Sequence, residues 1–348
     1  MYRYMLYEDD FDFESVSPML KNLGKYNNIK LCKGLILNTV KSRKRDGDMG
    51  ISTGEHGDKW FMLPKGRAIF KSYDDGGSYF DSIKNMRIVN ELLCYELAKS
   101  VGVLCAEYEL ANYHNTQGIV TYNVTKPGEK LINADDFLNN VEEAYLLEGF
   151  RAFSKAIKEY QEKGYKINED KVMKSLYKIA LFDCLTSQSD RHNFNLFFIV
   201  NESKKTIKVA PLIDNELAFN LKWFEEMLYE NSKIDEKLYV RNLDRICDIV
   251  QINSVFPFNK FMDNIKELIY IAKTKPEYAQ IFKDMVSNFH ILPALDKIEA
   301  MGIEINDDYY NYILLAEKAV KDRIKFYLKK SEKSNADDYR LEEYDFLK

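Results

Sequence analysis

Cysteine, histidine and proline are scarce in this chain, which has 5 Cys, 4 His and 7 Pro among 348 residues. The cysteines form no C-x-x-C pair and are spread through apolar segments, so we expect reduced, buried thiols. A disulfide framework and a zinc site are therefore not expected. With so few histidines, a histidine-rich metal site is not expected either.

Long apolar runs and an excess of positive charge are also missing. No run approaches the roughly 20 apolar residues of a membrane-spanning helix. The start, MYRYMLYEDDFDFE, is acidic where a signal peptide is basic and then apolar. We therefore expect a cytoplasmic protein that does not act at a membrane. The net charge of −5 provides no overall basic field, which argues against binding to duplex nucleic acid.

Apolar residues make up 46% of the chain, enough to fill the core of one large domain or of two lobes. Up to residue 124, most runs have the composition of β-strands, and one has the period of a helix. The strand-like runs cover 29–40, 60–63, 67–73, 107–113 and 118–123. The helical run begins at Asp81 or Ser82 and stops at Gly102. We predict a β-rich N-terminal lobe with one main helix, residues 1–124.

From residue 125 onwards, the apolar residues mostly follow a helical period. The helical runs cover 134–164, 172–187, 224–229, 244–251, 261–273, 276–289 and 309–329. We predict a mainly α-helical C-terminal lobe, residues 125–348, that ends in a polar tail at 331–348. The chain as a whole is therefore expected to have an α+β fold.

In the segment SDRHNFNLFFIV, residues 189–200, a polar loop leads into an apolar strand that begins at Asn195. The polar stretch NESKK then turns the chain, and residues 206–213 return as a second strand that ends at Asp214. With the turn centred near Ser203, Asn195 lies opposite about Pro211. We therefore expect Asn195 and Asp214 to meet at the open end of a β-hairpin, with Asp190 on the loop just before it.

These three side chains suit phosphoryl transfer. Mg²⁺ prefers a carboxylate and neutral oxygens, which Asp214 and Asn195 supply. Asp190 then remains to orient an attacking hydroxyl and accept its proton. The simpler alternative is that Asp190 and Asn195 only cap a helix end and a turn.

Three features in the N-terminal half fit the same chemistry. Lys71 on a strand, held by Glu91 of the following helix, would neutralise the phosphates of ATP. The glycine-rich turn before it offers Ser52, Thr53 and the amides around Gly54 to a phosphate. Each feature has a plainer interpretation. Lys71 could be an edge lysine whose ammonium reaches water, Glu91 a solvated helical glutamate, and the glycine-rich segment a flexible turn. Glu96 is a second candidate for the lysine's partner.

Three other polar residues lie near the loop. We expect His192 to bond a neighbouring carbonyl and Arg191 to support the loop or contact substrate. Asp183, seven residues before Asp190, is either a brace for the site or, more simply, a carboxylate at a helix end.

The order of the motifs TGEHGDK, AIFK, NELLCYELAKSVGV, LTSQSDRHNFN and APLID resembles that of HipA-type serine/threonine kinases and their CtkA-like relatives, over about residues 50–220. The resemblance implies a two-lobed protein-kinase-like fold that uses ATP and Mg²⁺. It implies Asp190 as the catalytic base, and Asn195 with Asp214 as the Mg²⁺ ligands. Lys71 would bind the ATP phosphates, with Glu91 as its helix partner. It also implies autophosphorylation in the glycine-rich loop, where Ser52 and Thr53 carry hydroxyls.

The sequence departs from this family in two places. The stretch before residue 50 is shorter than the extra N-terminal subdomain of HipA, so neither a toxin role nor an antitoxin partner is expected to follow from the resemblance. After Asp214 the chain reads Asn215-Glu216, where most kinases have Phe-Gly. Control of this loop therefore need not follow the usual kinase switch.

The sequence thus predicts an enzyme that transfers the γ-phosphate of ATP to a Ser or Thr hydroxyl of a protein. A phosphoinositide-type lipid kinase is one alternative, because the D-R-H-x-x-N pattern resembles that class too. The acidic chain offers no basic amphipathic anchor for a membrane, which disfavours it. A nucleotide-binding pseudokinase, kept as an interaction module, is the other alternative.

Overall fold

We describe the protein from a computed structural model, over residues 35–37, 59–63, 65–73, 81–113, 116–139, 149–221, 224, 264–303 and 305–333. The predicted phosphate-binding residues Ser52, Thr53 and Gly54 lie outside the described residues. The predicted helices at 224–229 and 244–251 also fall almost entirely outside them. No helix in these ranges is long and apolar enough to cross a membrane.

The N-terminal half contains a five-stranded sheet in the order β1-β4-β5-β3-β2. Its strands are β1 (Leu35–Leu37), β2 (Lys59–Leu63), β3 (Gly66–Lys71), β4 (Tyr108–Tyr113) and β5 (Thr116–Tyr122). The pair of β1 with β4 is parallel, and the other three pairs are antiparallel. The predicted hairpin at 107–123 is therefore present as β4 and β5.

Strand β3 has a different core on each face. Ala68 and Phe70 point to a small cluster with residues of β4 and β5. Because side chains alternate along a strand, Lys71 points to the opposite face, where Tyr73 joins the main core. Gly118 of β5 lies so close to β3 that an added Cβ would come within 2.7 Å of the Phe70 ring. Glycine therefore lets β5 approach the end of β3 that carries Lys71.

Helix α1 (Asp81–Val101) packs against this sheet and follows the predicted bounds. Its apolar side chains, such as Leu93 and Leu97, are fully buried. Helix α1 is followed by Gly102, which has φ +70°, a conformation that glycine adopts without a steric penalty.

The second sheet has three antiparallel strands in the order β6-β7-β8. Its strands are β6 (Lys130–Asn133), β7 (Phe197–Asn201) and β8 (Thr206–Val209). Strands β7 and β8 form the predicted hairpin, with Asn201 paired to Thr206. Strand β6 was not predicted.

Two details of the predicted hairpin are wrong. Asn195 lies in a 3₁₀ turn, Asn193–Asn195, and not in the strand. Strand β8 ends at Val209 and not at residue 213, because Leu212 leaves the hairpin to form a bridge with Cys105. Extending the observed register would place Asn195 opposite Leu212, one residue from the predicted position at about Pro211.

The rest of the described chain is mainly helical. The helices are α2 (Ala134–Asn139), α3 (Gly149–Glu162), α4 (Glu169–Leu185), α5 (Asn264–Thr274), α6 (Pro276–Asn288), α7 (Leu292–Ala300) and α8 (Asp307–Lys333). Helix α7 was not predicted. The predicted helix at 134–164 consists of α2 and α3, with 140–148 outside the described residues. Helix α8 continues past residue 331, where the polar tail was predicted to begin.

Helix α4 runs through the core of the helical half. Asn168 caps its start by accepting the N–H of Lys171 at 2.9 Å. The helix buries Leu176, Leu181 and Phe182 completely. Its C-terminal end leads directly into the loop that carries Asp190.

Candidate active site

The loop from Asp190 to Asn195 is held in shape by its own hydrogen bonds. The side-chain amide of Asn195 donates to both the backbone oxygen and Oδ2 of Asp190, each at 3.0 Å. The N–H of Phe194 donates to Nδ1 of His192 at 3.2 Å. The Asp190 side chain remains 38% exposed, so its carboxylate is fixed and can still be reached by a substrate.

Asp214 lies in a left-handed backbone conformation, with φ +57°. This conformation is uncommon for residues other than glycine, although aspartate tolerates it better than most. The N–H of Asp214 donates to the Tyr108 hydroxyl at 3.1 Å, and its carboxylate forms an ion pair with the Lys71 ammonium. The backbone turn thus directs the Asp214 carboxylate towards β3.

Three carboxylates surround Lys71. Oxygen atoms of Glu91, Asp214 and Glu216 lie within 4.8 Å of one another. Burial alone would lower the pKa of Lys71, but the attraction of these carboxylates raises it above its usual value. Burial opposes ionisation of Asp214 as well, yet Lys71 lowers the pKa of its carboxyl. Lys71 and Asp214 are therefore both charged.

Glu91 is fully buried on α1 beside this pair. Its Oε2 accepts the N–H of Asn215 at 2.8 Å, and its Oε1 accepts the Tyr73 hydroxyl at 3.4 Å. Burial raises the pKa of the Glu91 carboxyl to about 7, against the attraction of Lys71. Glu91 therefore contacts the segment after Asp214 while lying next to Lys71.

The alternative helix carboxylate, Glu96, has different partners. It forms ion pairs with Lys99 of the same helix and with Lys297 of α7, the latter at 2.8 Å. Within the described residues, Glu91 is therefore the α1 carboxylate that lies beside Lys71.

No role was predicted for Glu216 from the sequence. Its carboxylate lies 3.8 Å from Arg87, and burial raises its pKa. The replacement of Phe-Gly by Asn215-Glu216 marked this position as unusual, but nothing in the sequence showed that the side chain would reach Lys71.

Arg191 joins the two loops of the site and is fully buried. One of its nitrogens, Nη1, donates to the carbonyls of Asn195 at 2.9 Å and of Ile213 at 2.8 Å. Its Nη2 donates to the Asn215 amide oxygen at 2.6 Å. The backbones at Asn195 and Ile213 therefore meet at a single guanidinium nitrogen, which sets the spacing between the Asp190 loop and Asp214.

Asp183 of α4 is the charge partner of Arg191, at 3.3 Å. Burial raises the pKa of the Asp183 carboxyl to about 6, while Arg191 acts to lower it. The simpler expectation, a carboxylate at a helix end without a further role, is wrong, because Asp183 holds the arginine that spans the site. His192 also differs from expectation, since its Nδ1 accepts an N–H and does not donate to a carbonyl.

The segment after Asp214 is bonded to helices on two sides. Asn90 of α1 donates to the carbonyls of Glu216 and Ala218, both at 2.8 Å. The hydroxyl of Tyr312, on α8, donates to the carbonyl of Phe219 at 2.6 Å. The start of this segment is therefore held in one conformation by the helices around it.

Five of the eight predicted site residues belong to one network in the structure. Lys71 pairs with Asp214, and Asn195 bonds Asp190. Glu91 connects to the network through the N–H of Asn215. The other three, Ser52, Thr53 and Gly54, lie outside the described residues.

The oxygen donors of the network fit a hard divalent cation such as Mg²⁺. Asp214 supplies a carboxylate, and the amide oxygen of Asn195 is left for a ligand because its nitrogen bonds Asp190. Mg²⁺ sites in phosphoryl-transfer proteins combine a carboxylate and a neutral amide oxygen of this kind with water and phosphate oxygens.

Comparison with known proteins gives structural neighbours only. The sequence matches no protein-family model and no curated protein. The crystal structure of the Helicobacter pylori proinflammatory kinase CtkA aligns with 82% of this chain and 96% of its own, at a TM-score of 0.54 and 12% sequence identity. The chain has a CtkA-like fold. The predicted two-lobed, kinase-like α+β fold is thus confirmed. The predicted resemblance to CtkA-like proteins is confirmed at the level of the fold.

A second similar structure is a chain from the Shewanella oneidensis MR-1 complex of HipA, HipB and operator DNA. It aligns with 92% of this chain and 71% of its own, at a TM-score of 0.44 and 13% identity.

Proposed function

We propose that this protein is a kinase that transfers the γ-phosphate of ATP to a Ser or Thr hydroxyl of a protein, with Mg²⁺ as cofactor. The observation that carries the proposal is the network in which Arg191 holds the Asp190–Asn195 loop against the Lys71–Asp214 ion pair. A fold similar to that of the kinase CtkA supports it.

Asp190 would accept the proton of the attacking hydroxyl. The acceptor oxygen forms a bond to the γ-phosphorus, the bond to the bridging oxygen of ADP breaks, and the proton passes to Asp190. Asn195 fixes the carboxylate by donating to Oδ2, and the Asp190 side chain stays 38% exposed, so a substrate can reach it. His192 Nε2, 3.8 Å from Oδ1, lies at the edge of the same opening.

Lys71, Asn195 and Asp214 would meet the phosphates. The ammonium of Lys71 is charged, points into the site and would neutralise the phosphate chain. Asn195 and Asp214 would hold Mg²⁺, which would supply positive charge against the charge that develops on the γ-phosphate. Glu91 and Arg191 position these residues through Asn215 and the two loops.

The glycine-rich segment would cover the phosphates, with Ser52 and Thr53 as sites of autophosphorylation. Intact-mass measurement after incubation with ATP and Mg²⁺ tests this part separately. One phosphate should be added to the wild type and lost in the Ser52→Ala or Thr53→Ala variant. Unchanged incorporation in both variants would remove the autophosphorylation proposal without affecting the kinase proposal.

The acceptor class can be tested by following labelled γ-phosphate from ATP in the presence of Mg²⁺. The acceptors are the protein itself, a generic basic protein and phosphoinositide vesicles, and Asp214→Ala is the matched inactive variant. Label on protein hydroxyls, absent with Asp214→Ala, is the expected result. Label on lipid would replace the proposal by a lipid kinase. ATP binding without transfer to any of the three acceptors would favour a nucleotide-binding module.

A further inference from the structure

A cavity of about 480 Å³ lies behind the loop that follows α1 and shares no lining residue with the candidate active site. This volume falls within the range of about 300–1,000 Å³ that is usual for ligand pockets. Its apolar wall includes Leu104, Ile179, Val209 and Ile281. The Leu104 side chain is 68% exposed, although leucine is a residue that usually fills a core. The cavity thus presents an apolar surface to an occupant.

Three lysines of α4 form one side of the cavity: Lys171, Lys174 and Lys178. Their spacing places them on one face of the helix. Lys174 pairs with Asp170 at 2.8 Å, and Lys178 donates to the carbonyl of Gly102 at 3.1 Å. Within the described residues, neither Lys171 nor Lys178 has an ion pair with a carboxylate. With Asp170 as its one acidic lining residue, the cavity carries a net charge of +2.

An occupant must therefore combine acidic and apolar groups. The end of the chain, SNADDYRLEEYDFLK, residues 334–348, has this composition. It contains five acidic residues and two basic ones. Its large apolar and aromatic residues are Tyr339, Leu341, Tyr344, Phe346 and Leu347. The charge and the apolar character of this tail complement those of the cavity.

The course of α8 brings the tail within reach of the cavity. Tyr309, near the start of α8, bonds Asn90 in the middle of α1. Glu317 accepts the N–H of Ile291, close to where Asn288 bonds Ser100 near the end of α1. Helix α8 therefore runs towards the C-terminal end of α1, which is the end that adjoins the cavity.

The tail is long enough to reach the cavity from the end of α8. Lys333 lies 16 residues beyond Glu317 on α8, or about 24 Å along the helix. A chain of 15 residues extends to about 50 Å. Residues 334–348 can therefore return from the end of α8 to the cavity.

We propose that residues 334–348 dock in this cavity of their own chain. Their carboxylates contact the lysines of α4, and Phe346 or Leu347 covers the apolar wall. The cavity is connected to Asp214, because the wall residue Val209 lies five residues before it. Leu104, at the mouth, accepts the N–H of Leu212 at 2.8 Å. Docking would therefore brace the segment that carries Asp214. An effect of docking on the rate of phosphoryl transfer rests on the proposed function.

Photocrosslinking in the full chain tests the docking directly. Phe346 is replaced by p-benzoylphenylalanine, the protein is irradiated, and cross-links in the monomer are mapped by mass spectrometry. Cross-links to Leu104, Ile179 or Ile281 are expected. The Lys171→Glu, Lys178→Glu double variant should reduce them at least fivefold. The matched double variant Lys158→Glu, Lys204→Glu changes the charge equally on lysines outside the cavity and should leave them unchanged.

Two results would overturn the proposal: cross-links only to residues outside the cavity or to a second copy, or equal yields in the two double variants. Thermal unfolding of each variant shows that the compared proteins are folded. Cross-linking requires neither ATP nor catalysis, so this outcome is independent of whether the protein proves to be a kinase.

Discussion

Arg191 connects the two loops of the candidate site and has a buried carboxylate, Asp183, as its charge partner. A buried charge that loses its partner is costly, because the remaining ion has neither water nor a counter-charge. The residue is thus expected to matter for stability as well as for the geometry of the site.

Replacement of Arg191 by methionine should therefore lower the free energy of unfolding by about 3–5 kcal/mol. Urea denaturation measures this loss. Adding Asp183→Asn removes the stranded charge, so the double variant should be more stable than Arg191→Met alone. If the double variant were no more stable, the ion pair would not be the cause of the loss.

Glu91 should make stability depend on pH. Its folded-state pKa of about 7 lies above the ordinary value of 4.5, so the folded protein binds this proton more tightly than the unfolded chain does. The resulting stabilisation is fully present below about pH 4.5 and is lost as the pH rises through 7. Between pH 5 and pH 8, without Mg²⁺, the wild type should lose on the order of 2 kcal/mol more than Glu91→Gln.

Urea denaturation of the two proteins at several pH values measures this difference. Other groups that titrate in this range, such as Asp183, contribute to the pH dependence of stability in both proteins. Their contributions cancel when the two proteins are compared. Identical pH dependence in the wild type and Glu91→Gln would show that Glu91 does not hold this proton in the folded state.

At the scale of elements, the contact between β5 and β3 decides where Lys71 lies. Gly118→Ala would place a Cβ against the Phe70 ring and the carbonyl of Lys71, so we expect a loss of about 1–3 kcal/mol in the free energy of unfolding. Thr121→Val, in the same strand, is the matched control. Within the described residues, the buried Thr121 hydroxyl has no hydrogen-bond partner, so this change should be neutral or stabilising. Equal losses in both variants would argue against the close contact at Gly118.

The hairpin β7–β8 shows what could be predicted at this scale. Apolar runs on both sides of NESKK identify the two strands, because the pattern is local. The end of β8 could not be predicted, because Leu212 leaves the hairpin to bond Leu104 and Ala106, about 110 residues earlier in the chain. The 3₁₀ turn at Asn195 is bonded by Arg191, whose position depends in turn on the more distant carbonyl of Ile213.

At the scale of the whole molecule, the α+β fold and the main helix of the N-terminal half were predictable, because they follow from periodic patterns and turn residues. Strand β6 and helix α7 were missed, since both are short. Arg191 was predicted to support its loop or contact substrate, but not to join that loop to the one carrying Asp214, and Glu216 received no role. Both roles depend on tertiary contacts. The candidates for chemistry, Asp190, Asn195 and Asp214, could be selected from the sequence, since they are polar positions beside apolar strands.

In the proposed reaction, Asp190 accepts the proton of the attacking hydroxyl during γ-phosphate transfer. The most direct test is the single-turnover rate of transfer from ATP and Mg²⁺ to protein, comparing wild type with Asp190→Asn, with ATP affinity measured in parallel. Asparagine keeps the shape but cannot accept the proton, so the rate should fall by about 10²–10⁴-fold with ATP affinity nearly unchanged. A rate within about threefold of wild type would contradict the assignment of Asp190 as the base.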